Sequence, residues 1–161
     1  MKTFYIKKEK WYKPDYLIYS EAGVVGKLSP ERWKTGAYVS INNNFILIKR
    51  RSIWSDEKII YSDDKPIGRI KNKAFKSYCI ITLGEDETYL LRQKLFRNKF
   101  ILEKEGHAIG EYRSGFTTNT LVVGDDVDDR LAAATLAQSV AILNSMHHTA
   151  ATIPIYLILF T

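Results

Sequence analysis

The feature that most constrains this chain is an internal repeat with a period of 42 residues. Gly26, Gly68 and Gly110 stand at this spacing, and each of them follows an apolar residue. The same offset aligns three segments, 19–28, 61–70 and 103–112. A fixed period in this range is the signature of a repeat architecture. The sequence therefore predicts three similar structural units joined end to end.

Each unit is typical of strands joined by short connections. Short runs rich in Tyr, Ile, Val, Phe and Leu alternate with turn residues, as they do in hairpins. The middle unit shows this most clearly, with strands predicted at 45–50, 58–61, 66–70 and 78–83. Four strands in each of three units give about twelve strands. A glycine inside a strand usually marks a bulge, a bend or a close approach by another backbone, and we expect this role for the repeated glycines.

The composition changes after Val123. An acidic segment, 124–130, leads into 131–146, which is rich in alanine and leucine and contains no charged side chain. These residues are good helix formers, and the aspartates can cap a helix N-terminus. A helix that is apolar on nearly all sides is buried or spans a membrane, and this one is shorter than the roughly 20 residues that a span needs. We predict a buried helix at about 127–147, followed by a last strand at about 153–160.

These elements together predict a mainly β fold in a single domain, 1–161. The expected architecture is a closed β-barrel of about twelve strands, built from three 42-residue four-strand repeats around a central hydrophobic C-terminal helix. The repeats cover about 4–45, 46–87 and 88–123. A β-trefoil with a C-terminal helix is the alternative, but the trefoil fold does not account for a charge-free helix. A β-propeller would need at least about four blades.

The overall composition is that of a globular protein with a mildly basic surface. Hydrophobic residues make up 45% of the chain, the formal charge is +6 and the pI is near 9.3. A basic balance favours anionic partners such as phospholipid headgroups. The single cysteine, Cys79, cannot form an internal disulfide, which indicates the reducing cytosol and a buried, inert thiol. Residues 1–8 return to charge before a signal-peptide hydrophobic region can develop.

Two sequence features resemble the Tubby-like superfamily, especially its LURP-one-related and phospholipid-scramblase-like members. The first is segment 19–28 with its two copies, and the second is the run 128–134, Asp-Asp-Arg-Leu-Ala-Ala-Ala, that opens the helix. The resemblance covers nearly the whole chain. It implies a twelve-stranded barrel that encloses a hydrophobic C-terminal helix. It also implies association with membranes or phosphoinositides through basic side chains on the barrel exterior, although the family's basic motif does not match residue by residue.

The repeat also indicates a set of basic residues as candidates for binding anionic headgroups. Lys8, Arg50 and Arg92 stand at equivalent positions of the 42-residue period. Arginine suits bidentate contacts with phosphate. Solubilising charges on outward strand faces would explain the same pattern. The candidate headgroup-binding residues are Lys49, Arg50, Arg51, Arg92 and Lys94.

Motifs for catalysis, metals and nucleic acid are not found in the sequence. It contains no nucleophile-elbow or phosphate-loop signature, and its three histidines and one cysteine lack zinc spacing. We therefore assign no catalytic residue, metal or cofactor, and helix capping explains the aspartates at 125–129 better than an EF-hand calcium loop does. Four aromatic residues recur as repeat positions, which favours packing over nucleic-acid stacking: Trp11, Trp33, Trp54 and Phe75.

The sequence thus predicts a non-enzymatic, cytoplasmic binding module without a transmembrane span. We expect it to associate with anionic phospholipid or phosphoinositide headgroups, peripherally at a membrane surface. A protein-interaction or scaffolding domain that uses the apolar tail or a barrel edge is the alternative function. A lipid scramblase-like protein is a further alternative.

Overall fold

A closed β-barrel surrounds one helix in the computed structural model, which describes residues 1–31, 36–73, 77–94 and 98–159, and side chains as far as residue 146. The elements are β1 (Lys2–Lys8), β2 (Tyr16–Ser20), β3 (Gly23–Pro30), β4 (Ala37–Ile41), β5 (Asn44–Arg50), β6 (Glu57–Ser62), β7 (Lys65–Asn72), β8 (Tyr78–Leu83), β9 (Glu87–Lys94), β10 (Lys99–Lys104), β11 (His107–Arg113), β12 (Asn119–Val123) and α1 (Asp129–Leu159). Each strand pairs antiparallel with its neighbours in the chain, and β1 also pairs with β12. The predicted barrel is confirmed, and the trefoil alternative is not what is observed.

The lumen of the barrel is filled by the helix. Inward side chains of the strands, such as Ile18, Ile60 and Leu102, have no exposed surface. Every residue of α1 from 131 to 140 is buried as well. Because strand side chains alternate between the two faces of a sheet, one face of every strand can pack against the helix while the other meets solvent. The prediction that the charge-free helix is buried is therefore confirmed for residues 131–140, whereas residues 144–146 are exposed.

The two ends of the barrel differ in their connections. Connections that follow even-numbered strands are tight turns, and we call this side the turn end. Three of the two-residue turns have positive φ angles at both residues: Asn42 (48°) and Asn43 (64°), Asp63 (50°) and Asp64 (61°), and Glu105 (50°) and Gly106 (79°). Asn and Asp tolerate this conformation better than most residues. Connections that follow odd-numbered strands lie at the opposite side, the loop end, and α1 runs from the turn end towards the loop end.

The repeated glycines lie at bulges, as the sequence predicts. The register of the β2–β3, β6–β7 and β10–β11 pairs shifts just beyond the residues opposite Gly26, Gly68 and Gly110. A Cβ built at Gly26 would overlap the carbonyl oxygen of Ser40 on the neighbouring strand. Close approach of a backbone therefore requires glycine at this position, in addition to the bulge.

The 42-residue offset fails at β9. Ile48 of β5 lies opposite Ile60, but the residue opposite Leu102 is Leu91, one position later than the offset predicts. The turn before β9 has three residues, 84–86, whereas the turn before β5 has only 42 and 43. Because side chains alternate along a strand, one extra residue moves each of them to the other face. Each side chain of β9 therefore lies on the face opposite to the one that the 42-residue offset predicts.

The predicted last strand at 153–160 is wrong, and the helix is longer than the predicted 127–147. The α-helix continues to Leu159, and residue 160 lies outside the described residues. Pairing between β1 and β12 closes the barrel, so no unpaired edge is available to a further strand. The backbone groups of this segment make their hydrogen bonds within the helix instead. Over the part of the chain that is described, no helix combines the length and apolar character needed to cross a bilayer.

Candidate functional site

Charge is distributed unevenly between the two ends of the barrel, although Asp56 is exposed at the loop end and Lys65 at the turn end. Exposed acidic residues occupy the turns and the helix approach at the turn end: Glu21, Asp63, Asp64, Glu85, Asp86, Glu105, Asp125 and Asp126. Cations concentrate at the loop end, on the last residues of strands and on the connections: Lys7, Lys8, Lys10, Lys13, Lys49, Arg50, Arg51, Lys71, Lys73 and Lys94. A charge distribution of this form directs the loop end towards an anionic surface.

The predicted headgroup-binding residues do not form one cluster. Lys49, Arg50 and Arg51 lie at the end of β5, whereas Arg92 and Lys94 lie at the end of β9, with three strands between. Lys49 and Lys94 are exposed and form no ion pair within the described residues. These two side chains are available to an anionic ligand.

The arginines of the predicted set have different surroundings. The Arg51 guanidinium pairs with the Glu57 carboxylate at 3.0 Å. Arg92 pairs with Glu103 at 3.5 Å, and its guanidinium lies 5.5 Å from the centre of the Tyr78 ring. Exposed ion pairs of this kind contribute little to stability and can exchange partners. Arg92 lies on the outward face of β9 because of the register change, so it is not equivalent to Arg50.

Aromatic side chains project from three connections at the loop end. Trp11 is 88% exposed, Trp54 is 91% exposed and Phe116 is fully exposed. The prediction that Trp11 and Trp54 serve packing is wrong, because both lie in loops beyond the last paired residues of their strands. Trp33 and Phe75 lie outside the described residues. A contiguous apolar patch on a surface marks an interaction site, and these rings make the loop end the candidate for one.

A lysine is buried at the mouth of the lumen, and it was not predicted from the sequence as a site residue. Lys58, the second residue of β6, is only 7% exposed. Its Nζ donates a hydrogen bond to Gln138 Oε1 at 2.9 Å, and Gln138 Nε2 donates to Asn72 Oδ1 at 2.9 Å. Burial lowers the pKa of Lys58, and the nearby Arg50 charge lowers it further. The repeat contained a signal for this buried lysine: the equivalent positions in the other two units are the aromatic residues Tyr16 and Phe100, so a lysine at position 58 departs from the pattern.

The mouth of the lumen contains two cavities that share lining residues. The larger has a volume of about 650 Å³, and Arg50, Lys58 and Asn144 are part of its wall. The smaller, of about 360 Å³, is lined by Tyr112 and again by Asn144. The hydroxyl of Tyr112 is buried and has no hydrogen-bond partner within the described residues, and burial raises the pKa of Tyr112. An unsatisfied hydroxyl group therefore lines the smaller cavity.

The acidic segment before the helix has structural partners. The Asp128 carboxylate accepts a hydrogen bond from the Arg130 backbone N–H at 2.7 Å, which is an N-cap interaction. Asp125 pairs with the amino group of Met1 at 2.8 Å, and Asp129 pairs with Lys2 at 3.3 Å. The described residues contain no group of three potential metal-binding side chains. The predicted capping role is confirmed for Asp128.

The loop end combines cations without ion pairs within the described residues, exposed aromatic rings and a polar cavity at the helix surface. Comparison with protein-family models, with curated proteins and with solved structures finds no match for this chain. The geometry of the loop end is thus the basis for any assignment of function.

Proposed function

We propose that this protein is a non-enzymatic binding module that attaches peripherally to membranes by holding anionic phospholipid headgroups at the loop end of its barrel. The observation that carries the proposal is the exposure of Trp11, Trp54 and Phe116 at the end of the barrel that also carries Lys49 and Lys94, which form no ion pair within the described residues. The cytoplasmic leaflet is the anionic one in most cells, which agrees with the cytosolic location expected from a single buried cysteine.

Aromatic and basic residues act together in such an attachment. Tryptophan rings are stable at the level of the headgroups, where the apolar ring is buried and the indole N–H stays hydrated. Each Lys or Arg close to an anionic surface adds about 1 kcal/mol. Lys49 and Lys94 are free to contribute in this way. Two rings and several cations would therefore give stable but reversible binding.

The acidic turn end supports one orientation. An anionic membrane repels the turn end and attracts the loop end, so the molecule would approach with its aromatic residues first. The helix α1 runs towards the loop end. Residues 153–159 are apolar in sequence except for the hydroxyl group of Tyr156. The last turns of α1 would consequently face the same membrane.

Vesicle co-sedimentation tests the proposal. Wild-type protein is mixed with phosphatidylcholine vesicles, with and without about one quarter phosphatidylserine, at low and at physiological salt. We expect retention that needs the anionic lipid and falls with salt, because screening shortens the range of the attraction. The double variant Trp11→Ser/Trp54→Ser should bind about tenfold or more weakly, since two interfacial rings are lost.

Phe45→Ser is the matched control for the aromatic variant. Phe45 is also an exposed aromatic residue, 48% exposed, but it lies at the turn end beside Asn44. Its loss should leave vesicle binding unchanged. If wild-type protein is not retained by anionic vesicles at either salt concentration, the membrane proposal is wrong. Salt-insensitive capture of a protein partner, with no vesicle binding, would favour the scaffolding alternative.

A further inference from the structure

The ammonium group of Lys58 has more hydrogen-bond donors than the chain uses. A lysine ammonium has three N–H donors. Gln138 Oε1 is the one acceptor that it contacts within the described residues. The side chain is 7% exposed and forms part of the wall of the 650 Å³ cavity, which opens to solvent, so a ligand that enters this cavity meets the ammonium group. A buried ammonium with unused donors is costly unless an acceptor is supplied.

A second cation increases this cost. Arg50 lies directly opposite Lys58 on the neighbouring strand and lines the same cavity. Like charges that face each other across two strands destabilise the sheet. Glu31 and Asp56 also line the cavity, but neither forms an ion pair with Lys58 or Arg50. Arg50 is exposed and its Nε donates to the Ser55 carbonyl oxygen at 3.0 Å, so the cation that is buried without an anionic partner is Lys58. A buried charge of this kind in a cavity is typical of a site that binds a charged ligand.

The shape of the cavity indicates a compact ligand. Beyond Lys58 the wall continues into an apolar recess of only about 30 Å³. This recess is roughly the volume of one water molecule, so no acyl chain can extend behind the lysine. The cavity of about 650 Å³ has room for a headgroup-sized molecule. The ligand therefore has its charged group at the inner end and no long apolar segment beyond it.

We propose that the cavity at the mouth of the barrel binds a phosphate monoester, with Lys58 as the inner anchor and Arg50 and Lys8 at the rim. The phosphate would belong either to a free small molecule or to the headgroup of a lipid. This inference rests on the proposed function only for the lipid source, since the cavity itself does not require a membrane. It names a site that is distinct from the outward cations Lys49 and Lys94.

A monoester fits this site better than a diester. A phosphate monoester carries a charge of about −1.5 to −2 at neutral pH and has three terminal acceptor oxygens. The unused donors of Lys58 and the guanidinium of Arg50 can satisfy these oxygens, and Arg50 can do so with two parallel hydrogen bonds. A diester has one charge and only two terminal oxygens. Cations that cluster at one cavity therefore favour the dianion.

Calorimetric titration of the full-length chain with glycerol 3-phosphate tests the site directly. Lys58→Met keeps the length of the side chain but removes the charge, and Lys58→Arg retains a cation. Lys71→Met is the matched control, because Lys71 is an exposed lysine on the adjacent strand β7 that faces outwards. We expect Lys58→Met to weaken binding about tenfold or more, Lys58→Arg to weaken it less, and Lys71→Met to have no effect.

Vesicles distinguish the two sources of the phosphate. Phosphatidic acid is a lipid monoester, and phosphatidylglycerol at matched surface charge is the diester control. Preference for phosphatidic acid that is lost in Lys58→Met supports a lipid headgroup as the ligand. Binding of glycerol 3-phosphate without binding to either vesicle supports a free small molecule, and then the cavity is retained while the membrane proposal fails.

Two outcomes would overturn the phosphate site. One is that the folded wild-type protein binds neither glycerol 3-phosphate nor phosphatidic acid in preference to phosphatidylglycerol. The other is that Lys58→Met, Lys71→Met and wild type bind equally, which would show attraction by general surface charge. In this second case anionic vesicles would still be bound, so the membrane proposal would survive the failure of the site.

Discussion

Arg50 lies directly opposite Lys58 across strands β5 and β6, at the mouth of the lumen. The corresponding pairs in the other parts of the barrel are Lys8–Tyr16 and Gln93–Phe100. In the first of these pairs a cation faces an aromatic ring, and Lys8 Nζ lies 5.7 Å from the centre of the Tyr16 ring. Of these three pairs, only Arg50–Lys58 consists of two cations.

The burial of Lys58 leads to a prediction about stability. At pH 7 the Lys58→Met variant should have a free energy of unfolding equal to or higher than that of the wild type, because a buried charge is replaced by an apolar side chain of similar length. Such replacements are often neutral or stabilising by about 1–4 kcal/mol, and loss of the hydrogen bond to Gln138 offsets about 1 kcal/mol. Urea denaturation of both proteins measures the difference.

The pH dependence of this difference follows from the lowered pKa of Lys58. Between the lowered folded pKa and the unfolded value of about 10.4, the unfolded chain binds more protons than the folded chain. Wild-type stability relative to Lys58→Met should therefore rise with pH in this window and be constant below it. A variant that loses more than about 2 kcal/mol with no pH dependence would indicate that Lys58 is purely structural.

The repeated glycines should differ in their tolerance of alanine. A Cβ at Gly26 would overlap the backbone carbonyl oxygen of Ser40, whereas the nearest atom to a Cβ at Gly110 is a Val123 side-chain carbon at 2.8 Å. We expect Gly26→Ala to destabilise the protein by about 3 kcal/mol or more and Gly110→Ala by about 1 kcal/mol. Thermal or urea unfolding compares them, and equal losses would contradict the close-approach explanation.

The N-cap of α1 gives a smaller effect. Asp128→Ala removes the acceptor of the Arg130 backbone N–H and should reduce the unfolding free energy by about 1 kcal/mol. Asp126→Ala is the matched control, since Asp126 is exposed and should change stability by less than about 0.5 kcal/mol. Denaturant titration of the two variants measures both values. Equal losses would indicate a general effect of the acidic segment instead.

Cys79 should be chemically inert in the folded protein. Its side chain is 1% exposed, and burial raises the pKa of the thiol to about 12. Because only the thiolate reacts, a thiol reagent at pH 8 should label the protein at the rate of unfolding. Labelling in urea is the control and should be complete within the mixing time. Rapid labelling of the native protein would contradict the burial of this strand.

Much of the fold could be predicted because its signals are local. The turn at Asp63 and Asp64, the bulges beside the glycines and the charge-free stretch of α1 are each encoded by residues that are close in sequence. Strand alternation and helix propensity depend on the same short range. The candidate site was predicted less well, since Lys58 and Gln138 are far apart in the chain and meet only inside the closed barrel.

The amino-acid sequence alone determined which segments form strands, where the chain turns and which helix must be buried. Tertiary structure decided the rest. One extra residue before β9 placed Arg92 outside, and closure between β1 and β12 left residues 153–159 to continue the helix. Closure also collected the cations and the exposed tryptophans at one end. The physical reason is that secondary structure depends on neighbouring residues, whereas the face and the end that a side chain occupies depend on how distant strands pair.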